Sequence, residues 1–347
     1  MNSNQSTLAR LMHLQGDVRV DFITSPALEG NALGDPAQRP LAVYLPPHYD
    51  PQGSKRYPVL YCLHGYTGDV AGLLATRPWE LNVVQRMDRL ITRQQMPPAL
   101  LVIVDGFTRL GGSQYVDSVH NGNYATYVTR DVIAHVDREY RTVASEGGRA
   151  VFGKSSGGFG SLHLCMNYPG FFSAFASHSG DSYFRYADPP LFVAAQRTLE
   201  KHQWDIAEFV EQFEDANKRP QTDYSTMEFL GYTSAYSPRS ATPFDFDLPF
   251  DRNTGEIRDD VWARWLSFDP AEICTRRQPE LSRLRLRYLD CGRRDEYSLD
   301  VGARVLAARM RDMGLDVRHE EFDDDHRNVG YRYDVSLPAL AGVLERA

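Results

Sequence analysis

The sequence predicts an α/β protein with one mostly parallel sheet covered by helices on both faces. Three observations support this prediction. Apolar runs typical of buried strands alternate with stretches of helical periodicity along most of the 347 residues. The run ALLVIVDG (99–106) is apolar almost without interruption, as in a strand buried on both faces. Strands separated by helices usually pair in parallel, because the chain crosses the sheet between them.

The elements of this sheet follow in chain order, and each is recognised by its apolar pattern. Predicted strands lie in RPLAVYLPP (39–47), YPVLYCLHG (57–65), ALLVIVDG (99–106), RAVFG (149–153), FFSAFASHSG (171–180), LRLRYLDCG (284–292) and DVRHEEF (316–322). Predicted helices lie in PWELNVVQRMDRLI (78–91), NYATYVTRDVIAHVDREY (123–140), SGGFGSLHLCMNYPG (156–170), YSLDVGARVLAARMRDMG (297–314) and from about Tyr331 onward. Pro169 and Gly170 end the third of these helices, and Gly314 ends the fourth.

Residues 181–280 interrupt this alternation. The segment holds three of the four tryptophans and a portion rich in Pro and Asp, SPRSATPFDFDLPFDRNTGE (237–256). We predict a single domain over residues 1–347, with 181–280 as an aromatic-rich insertion after the sixth strand rather than a domain with its own core. Loops at the carboxyl ends of parallel strands border the ligand crevice. The insertion is therefore expected either to cover the active site or to pack on the outside of the sheet.

Composition and charge exclude several classes of function. Hydrophobic residues make up 42% and charged residues 24% of the chain, as in a globular protein with a substantial core. The formal net charge is −8, and no basic run carries interleaved aromatic residues, so nucleic acid is not an expected partner. No segment is apolar and long enough to be a signal peptide or to span a bilayer, which predicts a cytoplasmic protein with no membrane partner.

The cysteines are widely spaced and form no C-x-x-C motif. They are Cys62, Cys165, Cys274 and Cys291. Because two of them lie in apolar, strand-like runs, we expect buried thiols rather than a disulfide or a zinc site.

One short stretch fits two different motifs. GRAVFGKS (148–155) satisfies the phosphate-loop pattern G-x-x-x-x-G-K-[ST], whereas GKSSG (153–157) satisfies the nucleophile-elbow pattern G-x-S-x-G. A phosphate loop needs irregular backbone between its glycines, but RAVF (149–152) is strand-like. An elbow needs a strand, a sharp turn at the serine and then a helix, and the sequence has this order. We therefore predict that Ser155 is a nucleophile, and a P-loop-like nucleotide binder is the remote alternative.

A serine nucleophile needs a base that removes its proton and an acid that orients the base. In the α/β-hydrolase fold the acid and then the histidine follow the serine, each in a loop after a strand. Asp295 lies in the loop beyond the strand at 284–292 and is the predicted acid. The alternatives are Asp290, near the end of that strand, and Glu296, at the start of the next helix.

The predicted base is His326, in the loop DDDHRNVG (323–330) that follows the last strand. His319 falls within that strand and is expected to be structural. The three aspartates beside His326 would favour its charged form.

The anion formed when a serine attacks a carbonyl must be stabilised by hydrogen-bond donors. One predicted donor is the backbone N–H of Ser156, the residue after the nucleophile. The other is the backbone N–H of Tyr66, in the glycine-bearing loop LHGYTGD (63–69). This chemistry needs no metal and no organic cofactor. The segment DRNTGE (251–256) lacks the EF-hand spacing, so we interpret it as a turn rather than a calcium site.

Taken in order, these segments resemble the esterase D family of α/β-hydrolases, which includes S-formylglutathione hydrolases, feruloyl esterases, enterochelin esterases and mycolyltransferases of the antigen 85 type. The resemblance rests on VYLPPHYDPQGSKRYPVLYCLHGYTGD (43–69), GNYATYVTRDVIAHVDREYRT (122–142), VFGKSSGGFGSLHLCMNYPGFFSAFASHSGD (151–181), LDCGRRDEY (289–297) and the final histidine loop. It implies an α/β-hydrolase fold, with Ser155 as nucleophile, Asp295 as acid and His326 as base.

The expected function is hydrolysis of a small-molecule carboxylic ester through an acyl-enzyme. An acyltransferase would use the same triad with an alcohol instead of water as acceptor, and a catalytically inactive binding module is a further alternative. The aromatic-rich insertion favours a bulky or aromatic group on the ester. A homo-oligomer is compatible with the sequence, which specifies no oligomeric state.

Overall fold

The computed structural model describes residues 5–346, so the ends of the predicted domain, residues 1–4 and 347, lie outside the described part. An eight-stranded sheet forms the centre. Its strands, β1 to β8 in chain order, are Asp17–Thr24, Gln38–Leu45, Val59–Leu63, Leu100–Val104, Arg149–Lys154, Ala174–His178, Leu286–Gly292 and Arg318–Phe322. Their spatial order is β1-β2-β4-β3-β5-β6-β7-β8. The β1–β2 and β2–β4 pairs are antiparallel and the other pairs are parallel, which confirms the mostly parallel sheet.

The helices lie on both faces of this sheet and in the segment between β6 and β7. In chain order they are α1 Thr7–Leu11, α2 Val70–Leu74, α3 Val83–Thr92, α4 Tyr124–Thr126, α5 Ile133–Glu139, α6 Ser156–Asn167, α7 Phe184–Ala187, α8 Pro189–Lys201, α9 Ile206–Asp215, α10 Gln221–Tyr236, α11 Asp259–Leu266, α12 Pro270–Ile273, α13 Gln278–Ser282, α14 Leu299–Asp312 and α15 Tyr333–Val343. Shorter elements are 3-10 turns at Pro26–Leu28, Glu146–Gly148, Cys274–Arg277 and Val329–Arg332, a π-helical turn at Tyr127–Val132, and a small hairpin of Asp117–Ser118 with Gly122–Asn123.

Both faces of the central strands are buried because their side chains alternate between two apolar clusters. In β3, Val59, Tyr61 and Leu63 pack in the cluster covered by α5, α6 and α14. Leu60 and Cys62 point the other way and pack in the cluster covered by α3 and α15. The continuous apolar runs of the sequence therefore follow from burial on both sides. All four cysteines are buried free thiols, as expected.

One strand and one helix differ from the expectation. The edge strand β1 was not predicted, because only two of its eight positions are buried and its sequence, DVRVDFIT, has no apolar run. The predicted helix at 123–140 is interrupted by the π-helical turn Tyr127–Val132. In addition, no helix within residues 5–346 has the length and apolar character needed to cross a bilayer.

The insertion follows the strand predicted at 171–180, which is the sixth strand of the sheet when β1 is counted, and it carries α7 to α13 before the chain returns at β7. Its aromatic side chains form a third apolar cluster around the fully buried Trp265. The same cluster contains Phe159 of α6 and Leu110 of the loop after β4, so the insertion packs directly on the part of the sheet that carries the elbow. The assignment of the whole chain to one domain stays a prediction.

Candidate active site

The backbone makes a sharp turn at Ser155, between β5 and α6. Ser155 has φ 57° and ψ −125°, a conformation that non-glycine residues rarely adopt. Its N–H donates a hydrogen bond to the carbonyl oxygen of His178, which fixes the turn to β6. A Cβ atom at Gly153 or Gly157 would lie 2.4 Å or 2.1 Å from the carbonyl oxygen of Leu63. Glycine is therefore required on both sides of the serine, as the elbow motif demands.

This backbone does not fit the alternative phosphate loop. Residues 149–152 lie in β5 and pair with β3 and β6, so their N–H groups belong to a sheet rather than to a loop around a phosphate.

His326 and Asp295 form a buried hydrogen-bonded pair. His326 Nδ1 lies 2.7 Å from Asp295 Oδ2, and the other carboxylate oxygen accepts the N–H of Tyr297 at 3.0 Å. Burial by itself would raise the pKa of Asp295, but the hydrogen bond and charge of His326 lower it below its usual value. The backbone N–H of His326 donates to Glu296 Oε2 at 2.8 Å, which anchors the histidine loop. Glu296, one of the alternative acids, thus binds the backbone rather than the ring.

The other candidate residues lie in different surroundings. Asp290 is buried between His178 Nδ1, at 2.7 Å, and Arg332 Nε, at 2.9 Å. His319 lies in β8, and its Nε2 is buried without a hydrogen-bond partner among the described residues. The structure therefore brings Asp295 together with His326. Asp290 binds other side chains, and His319 does not line the cavity.

Ser155 and His326 line the same cavity, which has a volume of about 330 Å3. Tyr66 of the loop after β3 lines it as well, together with Gly65, so three of the sequence-predicted site residues meet there. Lys154, next to the serine, also faces the cavity, and burial lowers its pKa. The insertion contributes much of the wall through α7, α8 and α10, including Ala187, Asp188, Leu191, Gln221, Tyr224, Glu228 and Tyr232.

The loop that carries Tyr66 is positioned by a buried histidine. His64 Nε2 accepts the N–H of Gly106 at 2.8 Å, so its Nδ1 carries the proton and donates to the Gly65 carbonyl oxygen at 2.8 Å. Burial lowers the pKa of His64 to about 4, which keeps the ring neutral. Because the C=O and N–H of a trans peptide point in opposite directions, this bond directs the Tyr66 N–H away from His64. A Cβ at Gly65 would lie 3.3 Å from that of Ser155, so the loop adjoins the nucleophile.

The second predicted donor is the N–H of Ser156, the residue at which α6 begins. The first N–H groups of a helix have no acceptor within the helix. Neither this N–H nor that of Tyr66 donates to another backbone group within residues 5–346. Both remain available to a ligand.

Sequence reasoning missed a group of acids in the cavity wall: Asp181, Asp188 and Glu228, with the hydroxyl of Tyr232. Asp181 could have been identified, because it follows β6 at the carboxyl edge of the sheet where ligands bind. The others lie in insertion helices whose position no motif specified. Among the described residues, no group of three or more His, Cys, Asp or Glu side chains is arranged to hold a metal ion.

Solved structures share this fold at low sequence identity. A ferulic acid esterase aligns with a TM-score of 0.55 and 18% identity, covering 95% of this chain and 98% of that chain. An S-formylglutathione hydrolase from Agrobacterium tumefaciens gives 0.56 and 15%, covering 96% and 97%. A fluorophosphonate-binding serine hydrolase from Staphylococcus aureus gives 0.57 and 12%, covering 94% and 97%. These similarities establish the α/β-hydrolase fold.

Sequence comparison identifies the family. Esterases from two strains of Mycobacterium tuberculosis are 33% identical to this chain over 146 residues, which is 41% of this chain and 29% of the length of those relatives. The model of the Esterase family matches residues 36–336, from β2 to α15. The chain therefore belongs to the Esterase family.

Proposed function

We propose that this protein hydrolyses carboxylic esters through an acyl-enzyme, with Ser155 as nucleophile, His326 as general base and Asp295 as the acid that orients the base. The observation that carries the proposal is the 2.7 Å hydrogen bond between Asp295 and a histidine ring that lines the same cavity as the strained Ser155. Membership of the Esterase family supports it.

The hydrogen bond to Asp295 determines which ring nitrogen of His326 reacts. With its proton on Nδ1 and donated to the carboxylate, His326 has a free lone pair on Nε2. Nε2 takes the Ser155 proton as the oxygen attacks the ester carbonyl. The lowered pKa of Asp295 keeps it ionised, so it stabilises the imidazolium that forms. The alcohol leaves with the proton from Nε2, and water then repeats the sequence and releases the acid.

The backbone N–H groups of Tyr66 and Ser156 would stabilise the oxyanion in both steps. A donor of this kind contributes roughly 3 kcal/mol to transition-state stabilisation. His64 is a positioning residue for this function, because its bond to the Gly65 carbonyl oxygen fixes the peptide that carries the Tyr66 N–H.

The nucleophile is tested by labelling with a fluorophosphonate probe, which reacts with activated serines. We expect the native protein to be labelled and Ser155→Ala to be unlabelled. Ser156→Ala is the matched control: it removes the neighbouring hydroxyl but keeps the backbone N–H, and it should be labelled. Labelling that persisted in Ser155→Ala would refute the assignment.

The base is tested by the hydrolysis of p-nitrophenyl acetate. We expect His326→Ala to lower kcat by about 10^3-fold or more, as removal of a triad member does. His319→Ala should keep most of the activity, because His319 does not line the cavity. The reverse pattern would move the base to His319.

A further inference from the structure

Three carboxyl groups that take no part in the proposed acyl transfer line the cavity that holds Ser155. Asp181 follows β6, Asp188 precedes α8, and Glu228 lies in α10. Burial is the main cause that raises the pKa of all three acids, and the charges of neighbouring acids raise those of Asp188 and Glu228 further. Within the described part of the chain, this end of the cavity carries acids without a lysine or arginine partner.

Two of these acids share one hydroxyl. Tyr232 Oη lies 3.1 Å from Asp181 Oδ2 and 3.1 Å from Glu228 Oε1. A hydroxyl has a single proton, so it can donate to one carboxyl only, and the other must donate to it. Gln114 Nε2 also donates to Asp181 Oδ2, at 3.3 Å. The consistent arrangement has Asp181 ionised and Glu228 protonated; burial raises the pKa of both, to about 6 for Asp181 and to about 7 for Glu228.

The third acid lacks any donor. Asp188 is 2% exposed, and its Oδ2 has no hydrogen-bond partner among the described residues. Gln114, which donates to Asp181 from behind the cavity lining, also has an amide oxygen without a partner among the described residues. A buried acceptor without a donor is costly, so Asp188, which lines the cavity, favours a ligand that can donate a hydrogen bond to it.

The chemistry of the cluster selects the class of ligand. An anion would meet carboxyl groups, and these acids are not arranged as a metal site. A primary ammonium group has three N–H donors and one positive charge, which match the carboxyl oxygens of the cluster and the negative charge of Asp181. Burial and the neighbouring acids raise the pKa of Asp188 well above its usual value, and a bound cation would favour its ionised form. The cations that line the cavity, Lys154 and Arg327, leave this cluster without an ion pair.

We propose that Asp181, Asp188 and Glu228 bind a primary ammonium group of the substrate, so that the enzyme prefers esters carrying a cationic amine on the acyl or the alcohol side. This inference rests on the proposed function, because it names the substrate class of the same cavity. Binding of the ammonium group would release the proton of Glu228 to solvent.

Pairs of substrates that differ only in this charge provide the test. On the acyl side, p-nitrophenyl 6-aminohexanoate is compared with p-nitrophenyl heptanoate, in which a methyl group replaces the ammonium group. On the alcohol side, 6-aminohexyl acetate is compared with heptyl acetate. We expect kcat/KM to be at least about 10-fold higher for the charged member of one pair. Equal or lower values for both charged members would overturn the proposal.

Variants identify the residues responsible. The double variant Asp181→Asn, Glu228→Gln keeps the side-chain shapes but cannot ionise at these positions, so the ratio of kcat/KM between the charged and the neutral ester should fall to about 1. Asp260→Asn is the control, because Asp260 is an exposed acid of α11 in the same insertion; this variant should retain the preference. A preference unchanged in the double variant would refute the role of these acids.

Binding to Ser155→Ala separates this proposal from the proposed function, since this variant needs no turnover. Calorimetry should show at least about 10-fold tighter binding of 6-aminohexyl acetate or of 6-aminohexanoate methyl ester than of its neutral counterpart. Preferential binding without hydrolysis by the native protein would sustain the ammonium site and refute the esterase mechanism. Hydrolysis of the neutral esters with no preferential binding would refute the ammonium site and sustain the esterase mechanism.

Discussion

At the scale of single residues, two buried aspartates on the same strand and its loop have different partners. Asp290 is held by His178 and by Arg332, so its hydrogen bonds are used within the fold. Asp295 binds His326, a residue that lines the cavity and whose other ring nitrogen has no hydrogen bond to the described residues. Burial opposes ionisation of both aspartates, and the hydrogen-bonded cations or rings beside them lower the pKa of each.

This difference gives a prediction for Asp295→Asn. The amide can present an N–H to His326 Nδ1 and so favour the tautomer with the proton on Nε2, which cannot accept the Ser155 proton. We expect kcat to fall by about 10^3- to 10^4-fold with p-nitrophenyl acetate. Glu296→Gln, which keeps an acceptor for the His326 N–H, should change kcat by less than about 10-fold. Similar losses in both variants would show that loop position, not the tautomer, matters.

Single residues were also where sequence reasoning was most informative about the site. The elbow motif and the order of strands pointed to Ser155, Asp295 and His326 before any coordinates. The sequence could not show that Asp290 is bound by Arg332, because the two residues come from different elements that meet only in the fold. The same limit hid Asp188 and Glu228, which reach the cavity through helix packing.

At the scale of elements, the elbow depends on close contact between the start of α6 and the end of β3. Gly157 lies where a Cβ would be 2.1 Å from the Leu63 carbonyl oxygen and 2.7 Å from that of His64. Both are backbone atoms, so no side chain can move aside to make room. The same strand end leads into the loop that carries Tyr66, and a shift there would move a predicted oxyanion donor.

We therefore expect Gly157→Ala to lower the free energy of unfolding by roughly 3 kcal/mol, the upper range for overpacking, and to reduce esterase activity. Gly342→Ala is the matched control, because a Cβ at this position in α15 would meet no atom within 4 Å. Alanine favours helix over glycine by about 1 kcal/mol, so this variant should be neutral or more stable. Chemical denaturation measures both. An unchanged free energy of unfolding in Gly157→Ala would show that the close contact with the Leu63 carbonyl oxygen is not present.

Element prediction succeeded for the inner strands, which are buried on both faces, and failed for an exposed edge strand and for a helix that is buried all round. The inner strands have continuous apolar runs because both faces are covered. The edge strand β1 pairs with β2 through its backbone and exposes most of its side chains, so its sequence carries little signal. The helix α10 has nearly all of its residues from Thr226 onward buried, and this hides the one-sided apolar pattern by which helices are recognised.

At the scale of the whole molecule, buried ionisable groups make stability depend on pH in opposing ways. Burial raises the pKa of Glu228 from 4.5 to about 7, so between these values the folded protein holds a proton that the unfolded chain has lost. Stability therefore falls as pH rises through this window. Burial lowers the pKa of His64 and of His163 to about 4, and these rings contribute stability that rises with pH up to their ordinary value of 6.5.

Comparison of Glu228→Gln with the native protein isolates the pH dependence of stability that Glu228 causes, since both proteins contain the same histidines. We expect the variant to gain stability relative to the native protein as pH rises from 4.5 to about 7. At about 1.4 kcal/mol per unit of pKa shift, the gain is at most about 3 kcal/mol. Urea denaturation at a series of pH values measures it. A stability difference independent of pH would contradict the raised pKa of Glu228.

The insertion after β6 has a consequence for how this protein can diverge. The groups proposed for bond cleavage come from the carboxyl ends of β5, β7 and β8, whereas much of the cavity wall comes from one continuous stretch, residues 181–236. The residues that would contact the substrate and the residues proposed for catalysis thus lie largely in different segments of the sequence. Random mutagenesis or exchange confined to that stretch can change which molecules are accepted while the bond-breaking apparatus is inherited intact.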